Sequence, residues 1–279
     1  MPEQAERRSI EVNGLRINYL DWGNPSAPPM VLVHGYTSSA ESFNGFARNT
    51  RDRFHIVAPD VRGHGDSAWS PDGAYGYDEQ VADLAAFVDA LGLDRFTPVG
   101  TSMGGLIVMA YTTGHADRIT RLVVNDIGPD IEAGSHRITA NAGARPTSFA
   151  SLDEAIEHRR GMSANLARRT VEDQRELALG VLREGSDGHW TWKVDPLIIS
   201  QRVQQGAPPR PALWPTLETL ACPTMVVWGT ASDVLSEEQA KRMVAALPHG
   251  ELLPVPGVEH APSLIEPEAR AGLDAFLGR

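Results

Sequence analysis

Four short, largely apolar runs punctuate the first half of the chain: residues 30–33 (MVLV), 55–58 (HIVA), 96–100 (FTPVG) and 119–124 (ITRLVV). Runs this short, bounded by polar or glycine-rich loops, suit strands covered on both faces. Helical spacing fills the gaps between them. Val81, Leu84, Ala85, Val88 and Leu91 fall on one stripe that Gly92 ends, residues 103–113 (MGGLIVMAYTT) read as a largely buried helix, and Phe43 and Phe46 mark a short one. Strands alternating with helices predict an α/β fold with a mostly parallel sheet and helices on both faces. The opening predicts a hairpin instead, residues 9–12 turning at Asn13-Gly14 into the alternating run 15–22.

The alternation stops after Asp126 and resumes at residues 223–229 (PTMVVWG), followed by a helix opened by Ser236 with Gln239, a strand at 251–255 and a last helix over 263–277. Residues 1–127 and 216–279 are therefore expected to form one core, with 128–215 inserted into it. The insertion carries two or three arginine-rich helical patterns, one opened by the capping-box pair Ser151 and Glu154.

The whole chain has 279 residues, with 36 acidic against 25 basic side chains and a net charge of -11. That sign argues against nucleic acid as a partner. The single cysteine, Cys222, excludes an internal disulfide and a multi-cysteine metal site, and reads as a small core residue. No run approaches a membrane helix, and the opening MPEQAERRSIEV lacks a signal peptide's apolar stretch, so the expected location is cytoplasmic. No metal and no cofactor is expected. The RGHGDS loop lacks the lysine of a nucleotide phosphate loop. A monomer and a homodimer both fit the sequence.

The chemistry centres on Gly100-Thr101-Ser102-Met103-Gly104, which lies between an apolar strand and an apolar helix. A serine on such a turn stands exposed above the sheet edge, and the helix N-terminus directs amides and positive potential toward an anionic intermediate. A serine hydroxyl needs a base. Of nine histidines, His260 is the candidate, on a loop after the last strand; His34 and His64 read as hydrogen-bonding or substrate-lining groups. For the acid that orients the base, Asp126 and Asp233 both follow strands, and either satisfies the role.

The segments HGYTSS (34–39), DVRGHGDS (60–67), GTSMGG (100–105), Trp228-Gly229 and EHAPSLIEP (259–267) together resemble the α/β-hydrolase superfamily, in its capped, MhpC-like branch. The resemblance implies an eight-stranded, mostly parallel sheet with an inserted helical cap, and an oxyanion hole built from the backbone amides of Tyr36 and Met103. The common pattern G-x-x-D, counted from Gly229, reaches Ser232 and leaves Asp233 one residue late. Relatives such as haloalkane dehalogenases, and a hydrolase of acetamidomethylene-succinate, place the acid after the preceding strand. Asp126 is therefore preferred over Asp233.

The insertion's arginines, Arg137, Arg145, Arg159, Arg160, Arg168, Arg169, Arg175 and Arg183, are candidates to receive a carboxylate-bearing small-molecule substrate, Arg145 foremost. Trp190, Trp192 and Trp214 are candidate apolar pocket walls, and Asp60 and Arg62 are expected to brace the neighbouring loop. The expected activity is cofactor-independent serine hydrolysis of a carboxylic ester or lactone. Carbon–carbon hydrolysis of a vinylogous diketone, amide hydrolysis, and a non-catalytic ligand-binding role are the alternatives. Ser102 disfavours the epoxide hydrolases and dehalogenases, which resemble this chain but use an aspartate there.

Overall fold

A computed structural model describes residues 4–206 and 208–278. The opening hairpin pairs β1 (Glu6–Val12) with β2 (Leu15–Asp21), and the turn is the one its sequence asks for: Asn13 and Gly14 both take positive φ, 49° and 75°. Next come β3 (Pro29–Val33), α1 (Asn44–Thr50), β4 (His55–Pro59), α2 (Tyr77–Ala90), β5 (Thr97–Thr101), α3 (Met103–His115) and β6 (Leu122–Asn125). The segment that follows holds α4 (Ala133–Ala144), β7 (Ser148–Phe149), α5 (Leu152–Met162), α6 (Ala164–Ala167), α7 (Val171–Val181), β8 (Leu182–Glu184), β9 (Trp190–Trp192), α8 (Pro196–Gln205) and α9 (Trp214–Thr219). The chain closes with β10 (Thr224–Gly229), α10 (Glu237–Ala246), β11 (Gly250–Val255) and α11 (Pro267–Leu277).

The main sheet has eight strands in the order β1-β2-β4-β3-β5-β6-β10-β11. β2 pairs antiparallel with β1 and β4, and the remaining pairs are parallel. Both faces are covered, as the apolar strands require. Along β3, Val31 and Val33 join a cluster with Leu84 and Phe87 of α2 and Ile107 of α3. Met30 and Leu32 point the other way, into a cluster with Phe46 of α1 and Phe276 of α11. The fold class is that expected from the alternation, and the parallel strands β3, β5, β6 and β10 bring their C-terminal ends to one edge.

The segment between β6 and β10 differs from a purely helical reading, because a small antiparallel sheet, β7-β9-β8, accompanies its helices. Strands of two or three residues show no alternation in sequence, so nothing local distinguishes them from loop. They pack as part of a separate apolar cluster in which Phe149 meets Leu152, Ala155, Ala178 and Val181. Helix α5 begins where its capping box sits: Ser151 Oγ accepts the Glu154 amide at 3.1 Å, and Glu154 Oε2 accepts the Ala150 amide at 2.7 Å.

Candidate active site

Ser102 sits between β5 and α3 with φ 54° and ψ −119°, a left-handed conformation that a serine adopts only when its surroundings impose it. The flanking glycines show what imposes it. A Cβ on Gly104 would lie 2.0 Å from the Val33 carbonyl oxygen, and one on Gly100 would lie 2.4 Å from that of Gly104. Helix α3 therefore starts hard against β3, and the chain has one way round the corner.

His260, on the loop after β11, reaches this corner. Its Nε2 is 2.8 Å from Ser102 Oγ and its Nδ1 is 2.8 Å from Asp126 Oδ2. The carboxylate accepts, so Nδ1 carries the proton and Nε2 is free to accept from the serine hydroxyl. Asp126 is 0% exposed. Like Ser102 it takes a positive φ, 57°, and its second oxygen, Oδ1, accepts the Gly229 amide at 2.9 Å. Both carboxylate oxygens are thus occupied and the side chain is fixed at its strand end.

Sequence reasoning overlooked Asn125, although it directly precedes Asp126. Its Nδ2 donates to Thr101 Oγ1 at 3.0 Å and to the Pro262 carbonyl at 2.8 Å, tying the serine turn to the histidine loop. An amide beside the acid in the same strand-end tripeptide was the available signal.

The rival acid stands elsewhere. Asp233 receives Arg137 through two bonds, Nε to Oδ2 at 2.6 Å and Nη2 to Oδ1 at 2.7 Å, and that guanidinium holds its carboxyl below the usual range. His260 is held by Asp126 instead.

His34 also departs from a substrate-lining position. It is 0% exposed: Nε2 accepts the Val61 amide at 2.9 Å, and Nδ1 donates to the Gly35 carbonyl at 2.8 Å. Burial pulls it down to about 4, so it is neutral and braces the loop from within. Gly35 brings that loop against the serine, since a Cβ there would lie 3.3 Å from Ser102 Cβ. Tyr36 lines two neighbouring cavities, one of them shared with Ser102 and the other with Met103. Asp60 and Arg62 brace the neighbouring loop. Asp60 accepts the Ala40 and Asp66 amides, and Arg62 makes a buried two-bond pair with Asp83.

A cavity of about 290 Å³ opens on Ser102 and His260, with Arg169 and Ile138 among its walls. It shares Ser38, Ser42, Ile138, Arg169, His260 and Ala261 with a second space of about 350 Å³ that also contains Arg145, Arg159 and Trp192. A third, of about 380 Å³, meets the first at Tyr36 and is lined by Tyr36, His64, Tyr75, Tyr77, Met103 and Arg202. Of the insertion residues singled out by sequence, Arg145 lines the second space, its guanidinium 4.3 Å over the Trp192 ring. Trp190 and Trp214 line none of these spaces. Trp190 packs on the small-sheet cluster, while Trp214 donates to Asp130 at 2.9 Å and lies under Arg242, so Trp192 supplies the wall instead.

Burial lowers Arg145 to about 10 and Arg159 to about 10, the latter helped by the like charge of Arg169; both stay cationic at neutral pH. Among the described residues no group of three or more His, Cys, Asp or Glu side chains is placed to hold a metal, and no helix is long and apolar enough to cross a membrane.

A serine turn, a histidine loop and a strand-end aspartate joined at the C-terminal edge of a mostly parallel sheet define a class, and comparison with known proteins agrees. Residues 28–267 match the family model for the alpha/beta hydrolase fold. The chain belongs to that family, and with membership goes hydrolytic activity of its general type on small organic substrates. It is 33% identical over 263 residues to the 3-hydroxybutyrate-oligomer hydrolase of Cupriavidus necator, covering 90% of this chain and 89% of that one. It is 28% identical over 243 residues to the esterase YbfF of Escherichia coli, covering 86% and 89%. Its fold superposes on the crystal structure of an alpha/beta hydrolase from Novosphingobium aromaticivorans with a TM-score of 0.87 at 30% identity, covering 99% and 98% of the two chains.

Proposed function

We propose that the protein is a cofactor-independent serine hydrolase of carboxylic esters, in the capped branch of its family, with residues 128–215 as the cap. The observation that carries this reading is the hydrogen-bonded chain from Ser102 through His260 to Asp126, which opens on a cavity. Ser102 Oγ attacks the ester carbonyl carbon while His260 Nε2 takes its proton. Asp126 holds the imidazole in the tautomer that makes Nε2 a base and stabilises the imidazolium that results. The carbonyl oxygen becomes an oxyanion received by the amides of Tyr36 and Met103, the latter at the first position of α3, where helix amides are unpaired. The imidazolium then gives its proton to the leaving alkoxide, and water repeats the sequence on the acyl-serine to release the acid. The two curated relatives, an oligomer hydrolase and an esterase, support an ester over a diketone or an amide.

A fluorophosphonate probe with peptide mass spectrometry, followed by a screen of ester, lactone, amide and diketone substrates, tests this. Label on Ser102 and fastest turnover of an ester are expected. An unlabelled Ser102, or a diketone preferred over every ester, would replace the reading.

A further inference from the structure

Three arginines around the cavity wall, Arg145, Arg159 and Arg169, form no ion pair among the described residues, whereas Arg137 beside them is fully engaged by Asp233. Of the three only Arg169 has carboxylates, Asp173 and Glu266, near enough to favour its charge. Arg159 goes further: its Nη1 is buried with no hydrogen-bond partner at all. Folding charge into a wall without a counter-charge is costly, and a second guanidinium beside it adds repulsion. Such a cluster is relieved by an anion that brings two oxygens to the guanidinium fork.

The side of Ser102 on which this cluster lies decides which half of an ester it addresses. The space that holds Arg145, Arg159 and Arg169 is walled by His260 and Ala261, and Arg169 also lines the cavity that opens on Ser102. Tyr36 and Met103, which carry the oxyanion amides, line the aromatic space and neither lines the arginine space, Tyr36 also bordering the cavity on Ser102. His260 protonates the leaving oxygen, so the alcohol portion departs on the arginine side.

We propose that Arg159 and Arg169, with Arg145 completing the wall, seat a carboxylate on the alcohol portion of the substrate, so that the preferred esters are O-acylated hydroxy acids. The proposal rests on the serine-hydrolase reading. Ser102 Oγ bonds to the acyl carbon and the carbon–oxygen bond to the hydroxy acid breaks. The leaving oxygen takes the proton that His260 removed from Ser102, releasing the free hydroxy acid, and water then converts the acyl-serine to a carboxylic acid and free Ser102.

Three substrates separate the two halves: 3-butanoyloxypropanoate carries the carboxylate on the alcohol side, 3-butanoyloxypropanamide is its neutral counterpart, and monobutyl succinate carries the charge on the acyl side. In the wild type, kcat/KM for the first is expected to exceed that for the other two by roughly 10- to 100-fold, the worth of a lost charged hydrogen bond. Arg159→Gln and Arg169→Gln should each bring the acid-to-amide ratio most of the way to unity, with Arg159→Lys intermediate because it keeps charge without the fork. Calorimetry on Ser102→Ala gives a readout free of turnover: 3-hydroxypropanoate should bind, and adding Arg159→Gln should weaken binding about tenfold or more. A wild-type ratio near one, a preference for monobutyl succinate, or product binding indifferent to both arginines overturns the seat. An unlabelled Ser102 with no ester turned over would instead overturn the serine-hydrolase reading, and persistent Arg159-dependent product binding would separate that result from failure of the seat.

Discussion

The strand-end loops and the segment between β6 and β10 hold their functional side chains in place by different means. At the strand ends the backbone does the work. Ser102 and Asp126 sit at positive φ, Gly100 and Gly104 have no room for a Cβ, and Asn125 ties two loops together. In the intervening segment the arginines stand on ordinary backbone: Arg159 lies within helix α5 and Arg145 at the end of α4. Their positions follow from packing among helices and a three-stranded sheet. The first arrangement permits one geometry. The second permits many arrangements of the same charges, as the proposed role of the segment in choosing substrates requires.

If the strand ends carry the chemistry, the largest effect in the molecule belongs to Ser102. Ser102→Ala is expected to lower kcat by about 10⁶-fold with the melting temperature retained. Turnover near wild type in the purified variant would remove the serine mechanism.

Next in size is the acid, where the two regions compete directly, because Asp233 is bound to Arg137 of α4. Asp126→Asn should favour the wrong imidazole tautomer and lower kcat by about 10³- to 10⁴-fold. Asp233→Asn breaks a half-exposed ion pair, worth about 0–1 kcal/mol, and should move kcat little. A larger loss in the Asp233 variant would transfer the acid's role.

Much of this was legible because strand ends write their geometry into residue identity. Gly100, Ser102 and Gly104 announce a turn that nothing bulkier survives, and the apolar runs before them announce buried strands. The displacement of Asp233 by one residue was also readable, and it corresponds to the carboxylate that turns away toward Arg137. What could not be read was set at a distance. Trp190 and Trp192 are alike in sequence and occupy the same short strand, yet Trp192 borders the cavity and Trp190 does not. Arg145, Arg159 and Arg169 differ from their exposed neighbours only in what folds over them.

The glycine requirement can be broken on purpose. Gly104→Ala would put a methyl 2.0 Å from one backbone oxygen and 2.7 Å from another, so main chain has to move. Overpacking against backbone should cost about 3 kcal/mol or more, read by urea unfolding, with activity lost as the turn shifts. A variant of wild-type stability would show that the strand-end geometry is softer than its contacts imply.

The loops beneath the strand ends also bury titratable groups. His34 and His64 are held neutral by burial, at about 4 and about 3, against about 6.5 in an unfolded chain. Their contribution is complete above pH 6.5 and is lost as the pH falls, since the unfolded chain binds their protons first. Asp60, pushed up to about 7 by burial and then by Glu41, acts in the opposite sense: its contribution is full below about 3.9 and fades as the pH rises through 7. Two groups against one leave a net loss on acidification from 6.5 toward 4, small at first and rising toward about 1 kcal/mol per pH unit in the middle of that range. Urea unfolding at pH 6.5 and 5.5 measures it, and unchanged or greater stability at the lower pH would mean these imidazoles are not held neutral.

The smallest effect is expected where the intervening segment has a glycine it does not need. Gly161 lies near the end of α5, exposed and with nothing within 4 Å of a Cβ placed there; it has no positive φ. Glycine in such a position lowers stability chiefly by leaving the unfolded chain more freedom to lose. Gly161→Ala should therefore stabilise the protein by about 0.5–1 kcal/mol, opposite in sign to Gly104→Ala. Paired unfolding curves decide it. A destabilised Gly161→Ala would mean that the end of α5 is constrained as tightly as the strand ends, and the contrast between a backbone-fixed reaction site and a packing-fixed substrate wall would fail at the helix that carries Arg159.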